Sequence, residues 1–252
     1  MKRLLSLFTL LCALAACCSA QSQLDQLLNK VENASQPATD NTTTSNPAGM
    51  SLSNSKITDG LKEALSKGTS AAVTSTSHPG GYFNNPAIKI LLPKSLETIG
   101  NGMRALGMGA QVDDLELSMN RAAEQAAPAA KPIFIDAITK MTFADARKIL
   151  GGGNTAATDY FKKATSKDLT TAFTPIVHQQ MENVGLIKQF DQLVQNSPVG
   201  GLVGDESFNL DSYVVGKALD GLFYELAQEE KKIRTNPAAQ TTTLLKEVFG
   251  KL

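Results

Sequence analysis

The chain has 252 residues, 24 basic against 24 acidic side chains, and 42% hydrophobic residues. That length can bury a real core in one large domain or two small ones, and the balanced charge excludes a polybasic nucleic-acid binder. With 19% charged residues the chain is not wholly disordered, and two His, three Cys and no Trp leave little for soft-metal chemistry.

Lys2 and Arg3 open the sequence, and Leu4 to Ala16 is an apolar run broken by Ser6 and Thr9. The run is shorter than the roughly 20 residues a spanning helix needs, and it fits the core of a signal peptide. It ends in Leu14-Ala15-Ala16-Cys17, which resembles a bacterial lipobox. Such a signal is cut before the cysteine, and the sulfur carries a diacylglycerol. Plain secretion with cleavage near Ala20 is the alternative. Cleavage before Cys17 leaves 236 residues with a net charge near −2 and no cysteine in the folded part, so neither a disulfide nor a thiolate is expected there. Cys18, not Asp, follows Cys17. By resemblance to Gram-negative lipoproteins this favours the outer membrane, with the domain facing the periplasm.

Leu24, Leu27, Leu28 and Val31 make a short amphipathic stretch. Asn33 to Gly49, rich in Asn, Thr, Ser, Ala and Pro, reads as a disordered tether. The expected organisation is a signal at 1–16, a lipidated cysteine and tether at 17–51, and one helical domain at 52–252.

Ile57, Leu61, Ala64, Leu65 and Ala72 form the first helical stripe, ended by His78-Pro79-Gly80-Gly81. Residues 82–93 do not read as helix; Ile88, Ile90 and Leu92 alternate, predicting a short strand or extended arm. Pro93 opens a helix to about Met108. Val112, Leu115, Met119, Ala122, Ala123 and Ala126 share the next face. Pro128 and Pro132 mark a restart, before Phe134, Ala137, Ile138 and Met141. Thr142 with Asp145 has capping-box spacing, and three glycines at 151–153 stop that helix. Ala156 to Ala164 is the next helix. Thr165 with Asp168 repeats the box before Leu169 to Val184, where Pro175 predicts a kink or break. Leu186 to Val194 follows, then a Gly-rich loop to Asn209. Asp211 to Arg234, with a wide apolar band, is the predicted central helix. Leu244, Leu245, Val248 and Phe249 stripe the last. The expectation is an all-α bundle of about nine helices with one extended arm.

Several strings resemble a known family: Gly60 through Leu65, Asn120 through Glu124, Asp145 through Gly151, Ala157 through Phe161, Ala218 through Phe223 and Glu229 through Pro237. They are similar to the bacterial envelope and lipoprotein family known as domain-of-unknown-function family 4197, over about Ile57 to Gly250. The resemblance implies one all-helical domain behind a lipobox. It supplies no activity, cofactor or site residue.

Motif chemistry is sparse. Gly151-Gly152-Gly153-Asn154-Thr155-Ala156 nominally fits a dinucleotide loop, but such a loop needs a preceding strand and the segment before it reads as helix. His78 sits in a turn. His178 lies about 140° around its helix from Phe173, at the surface, so no zinc site is expected. No catalytic residue, metal site or cofactor is assigned. The polar candidates are Glu229 and Glu230, near the apolar band of the central helix, where an acid needs a partner. Arg234 is four residues beyond Glu230, and Arg121 is another candidate partner. Arg121 and Glu124 lie opposite the Met119 face. This cluster is either an ion-pair network fixing helix register or the polar end of a ligand cleft, with Tyr82, Phe83, Asn84 and Asn85 as its rim.

Three functions are weighed. The preferred one is a lipid-anchored binding or interaction module that meets an envelope protein or an apolar small ligand, with no nucleic acid. The second is an envelope enzyme using Glu229, Glu230 and Asp220 as carboxylates. The third is a structural spacer.

Overall fold

The computed structural model describes residues 54–183 and 209–240, with Thr242, Thr243 and Lys246. The tether, the stretch from Leu186 to Val194, most of the Gly-rich loop and the last apolar stripe lie outside the described residues. Those described are all-helical, with no strand among them. Their α-helices are α1 (Asn54–Ser77), α2 (Lys94–Ala105), α3 (Gly109–Ala126), α4 (Ala130–Lys140), α5 (Phe143–Leu150), α6 (Ala156–Asn183) and α7 (Leu210–Thr235). Short 3-10 turns occupy Ala127–Ala129 and Pro237–Ala239.

α7 is the hub. It packs on α1, α3 and α6, and its band from Val214 through Ile233 is buried on a broad front. Asn209 caps it by accepting from the Ser212 amide at 2.8 Å. α1 presents Leu61, Ala64, Leu65, Ala72 and Val73 to the core. Its buried Thr69 and Thr76 donate their hydroxyls to the carbonyls of Leu65 and Ala72, four residues back, so neither is left unsatisfied. The apolar face of α3 is buried as its spacing predicts, and Ala122, Ala123 and Ala126 have no exposure, which lets neighbouring helices approach closely. α4 contributes Phe134, whose ring meets Phe161 of α6 and Phe223 of α7 edge-on, at 5.2 and 6.3 Å between centroids.

The structure differs from the sequence reading at three helix boundaries. α2 stops at Ala105 rather than near Met108, because Gly107 takes a φ of 82° and the Met108 amide turns back to the Met103 carbonyl at 2.9 Å. The two helices expected on either side of Thr165 are one. The Thr165 hydroxyl donates to the Phe161 carbonyl at 2.7 Å instead of capping a new start. Pro175 lies inside this 28-residue helix, and α6 runs through it. The merger is one reason the described helices number fewer than the nine expected. The first capping box does form. The Asp145 amide donates to Thr142 Oγ1, and the Thr142 amide donates to Asp145 Oδ2.

The arm is no strand: its first part turns, with the Asn85 amide donating to the Tyr82 carbonyl and the Ile88 amide to the Asn85 carbonyl, and only 89–93 runs without a turn. Ile88, in the turn, is buried, and in the stretch after it Ile90 and Leu92 are buried while Leu91 is 54% exposed. The backbone partner of this stretch is a side chain on α3. The Ile90 amide donates to Asn120 Oδ1 at 2.9 Å, and Asn120 Nδ2 donates back to the Ile90 carbonyl at 2.8 Å. A single amide thus replaces one rung of a sheet, which explains why a lone arm can be held without a neighbouring strand.

Candidate functional site

The polar residues singled out in the sequence form two clusters rather than one. Glu230 organises the first. It is buried on α7 and accepts from the Ala157 and Thr158 amides at 2.9 and 2.8 Å and from the Thr158 hydroxyl at 2.9 Å. Those amides belong to the first turn of α6, whose N–H groups have no partner within the helix. The carboxylate therefore caps α6 from another helix, at the positive end of its dipole. Arg234 completes the arrangement. Its Nε donates to Glu230 Oε1 at 3.0 Å, and its Nη2 donates to the Ile149 carbonyl at 2.8 Å. Ile149 lies in the last turn of α5, where a cation is favoured. One ion pair on α7 thus holds both flanks of the Gly151–Gly153 turn, from the α5 C-terminus to the α6 N-terminus. The glycines that nominally fit a dinucleotide loop connect two helices, and Glu230 already occupies the N-terminus that a phosphate would use.

Glu124 organises the second cluster, around the turn after α1. Its Oε1 accepts from the amides of Gly80, Tyr82 and Phe83 at 3.0, 3.2 and 3.3 Å. Its Oε2 accepts from Arg121 at 2.6 Å. Successive amides converging on one anion make the kind of concavity that binds phosphate elsewhere. Here the anion is the protein's own. Tyr82 belongs to this cluster as a core residue, not as a rim. It is fully buried, and its hydroxyl donates to the Ala218 carbonyl at 2.6 Å. Burial pushes its phenol well above the usual range, and the charges of Glu225 and Glu124 push it in the same direction. The ring lies against Gly221, where an added Cβ would stand 2.5 Å from Tyr82 Cε1. Asn85 donates to Glu225 Oε1 at 2.8 Å, tying the same turn to α7.

These clusters sit at different levels of α7. Ala218 and Glu230 are twelve residues apart on that helix, about 18 Å along its axis. Arg121 pairs with Glu124 and not with the α7 acids. Glu229 is not part of the buried cluster; it lies at the edge of the band and pairs with Lys232 at 3.4 Å. Asp220 is exposed and faces Lys217 at 3.7 Å. The three acids considered for carboxylate catalysis therefore have three separate settings. Cys17 lies outside the described residues.

Beside the first cluster is a cavity of about 20 Å³, walled by Leu61, Leu65, Gly68, Leu226 and Ile233, with Glu230 and Arg234 at its margin. It has room for about one water, far below a ligand-sized pocket. Among the described residues no group of three or more His, Cys, Asp or Glu could hold a metal, and no helix is long and apolar enough to cross a membrane. Large apolar side chains do reach solvent: Leu91, Leu106, Ile135 and Tyr224.

Sequence reasoning found Glu230 with Arg234, because a four-residue spacing on a helix is readable; it offered Arg121 as a partner for the α7 acids, whereas the structure pairs Arg121 with Glu124. It missed Asn120 and Thr158. A polar residue on an otherwise apolar α3 face was the available signal for Asn120. Thr158 gave none, because its role depends on where α7 lies.

The model of a family described as protein of unknown function (DUF4197) matches residues 51–250. No curated protein and no solved structure matches the chain. The chain belongs to that family.

Proposed function

We propose that this protein is a lipid-anchored interaction module of the bacterial envelope. In this reading residues 1–16 are the signal, Cys17 carries the lipid, residues 17–51 tether the domain, and 52–252 face the periplasm from the outer membrane. The observation that carries the anchoring is Leu14-Ala15-Ala16-Cys17 at the end of an apolar run behind Lys2 and Arg3. The geometry of the domain favours a partner met at the surface over an apolar ligand held inside. The cavity at the α1, α6 and α7 junction takes only about one water, while Leu91, Leu106, Ile135 and Tyr224 point outward. The buried charges are spent on internal anchoring. Glu230 and Glu124 each accept backbone amides of a helix start or a turn, which leaves neither carboxylate free to act on a substrate.

The test is Cys17→Ser in the native host, followed by membrane fractionation and metabolic labelling with a fatty acid analogue. The parent chain is expected to label and to sediment with the outer membrane, and the variant to do neither. Unchanged sedimentation and no label on the parent would overturn the anchoring. Cross-linking from Leu106 to a single envelope protein would then support the interaction role; its failure at all four exposed apolar positions would favour a spacer.

A further inference from the structure

His178 stands between two carboxylates that reach it from different helices. Its Nδ1 lies 2.6 Å from Asp211 Oδ2, in the first turn of α7. Its Nε2 lies 3.4 Å from Glu182 Oε1, one turn further along α6. Asp211 Oδ1 is buried and has no hydrogen-bond partner among the described residues, while Oδ2 is held by His178. These contacts are made by an exposed imidazole where α6 and α7 meet, away from both buried glutamates.

A neutral imidazole has one N–H and one lone pair. If Nδ1 donates to Asp211, the Nε2 lone pair faces the Glu182 oxygen, and two acceptors oppose each other. Only the imidazolium can donate to both. We infer that His178 is a pH-responsive latch between α6 and α7, closed by protonation and loosened when the ring is neutral. The charged groups that act on it are Glu182 from α6 itself and Asp211 from α7. The helices α3, α4 and α5, which also pack on α6, add none among the described residues.

The direction of the pH effect follows from linkage. The hydrogen bond to Asp211, then the charges of Glu182 and Asp211, raise the His178 pKa above its ordinary 6.5. A raised folded-state pKa means that the latch contributes fully below the unfolded value and is lost as pH rises through the folded one.

The test is imidazole NMR on the full chain carrying His78→Gln, which leaves one histidine to observe. The His178 midpoint is expected above 6.5, and Asp211→Asn is expected to bring it down toward that value. In parallel, the thermal midpoint of the parent should exceed that of His178→Gln near about pH 5.5, with the gap closing by about pH 9. A midpoint at or below the ordinary value, or one unmoved by Asp211→Asn, would overturn the latch. So would a stability gap that does not change with pH.

Discussion

Glu230 and Glu229 are neighbours in sequence with opposite settings, and they show what decides the role of an acid. A helical wheel places both near the apolar band of α7. In the fold Glu230 points inward to the α6 amides and Arg234, while Glu229 remains at the edge beside Lys232. Removing the buried member takes a carboxylate from beside the Arg234 guanidinium, whose side chain is only 9% exposed, and it leaves two helix-start amides unsatisfied. Glu230→Ala is therefore expected to cost about 3–5 kcal/mol, read from the denaturant midpoint at constant m-value. Glu229→Gln should move the same midpoint by less than about 0.5 kcal/mol, because its ion pair is exposed. Equal losses in the two variants would contradict the assignment of Glu230 as the clamp.

At the scale of elements, α6 resolves a conflict between two local rules. Pro175 has no amide to give and its ring crowds the carbonyl of Thr171, so the sequence predicts a break. The helix continues because Leu169 and Phe173 before the proline and Val177 and Met181 after it are all buried in the core. Tertiary packing overrides the local penalty. Pro175 itself is exposed. Pro175→Ala is thus expected to stabilise the chain by about 1–3 kcal/mol, seen as a higher thermal midpoint. A fall in that midpoint would mean that the proline sets a bend the packing requires. The same contest explains the second supposed capping box. Thr165 and Asp168 have the right spacing, but the Thr165 hydroxyl bonds within the continuing helix. At Thr142 the backbone is free to turn, and the box forms. Spacing announces a cap; whether the chain stops there depends on what packs against the next turn. The arm shows the converse. Its alternation was legible, but its partner was not, because Asn120 is thirty residues away on a helix.

For the whole molecule, the all-helical class, the hub role of α7 and the buried faces of α1, α3 and α4 follow from periodicity, which reports burial directly. The grouping of the charged residues did not follow. Whether Arg121 meets Glu124 or Glu230 depends on how far apart those acids stand on the packed bundle, and no single-helix pattern carries that distance. Among the described residues the chain's own carboxylates fill two places where amides converge, at the α6 N-terminus and at the turn after α1. Both places are thus filled from within, where many α/β folds leave openings for phosphates.

The placement of Tyr82 also makes the molecule its own spectroscopic gauge. With no tryptophan and four tyrosines, the near-ultraviolet signal of the chain is a phenol signal. Burial and two nearby carboxylates all disfavour the phenolate, so Tyr82 keeps its proton while donating it to the Ala218 carbonyl. In an alkaline titration followed by phenolate absorbance, the Tyr82 ring should ionise only when the fold opens, so the last part of the absorbance change should coincide with the loss of helical ellipticity. If all four rings ionised before the ellipticity fell, Tyr82 could not be sealed as described.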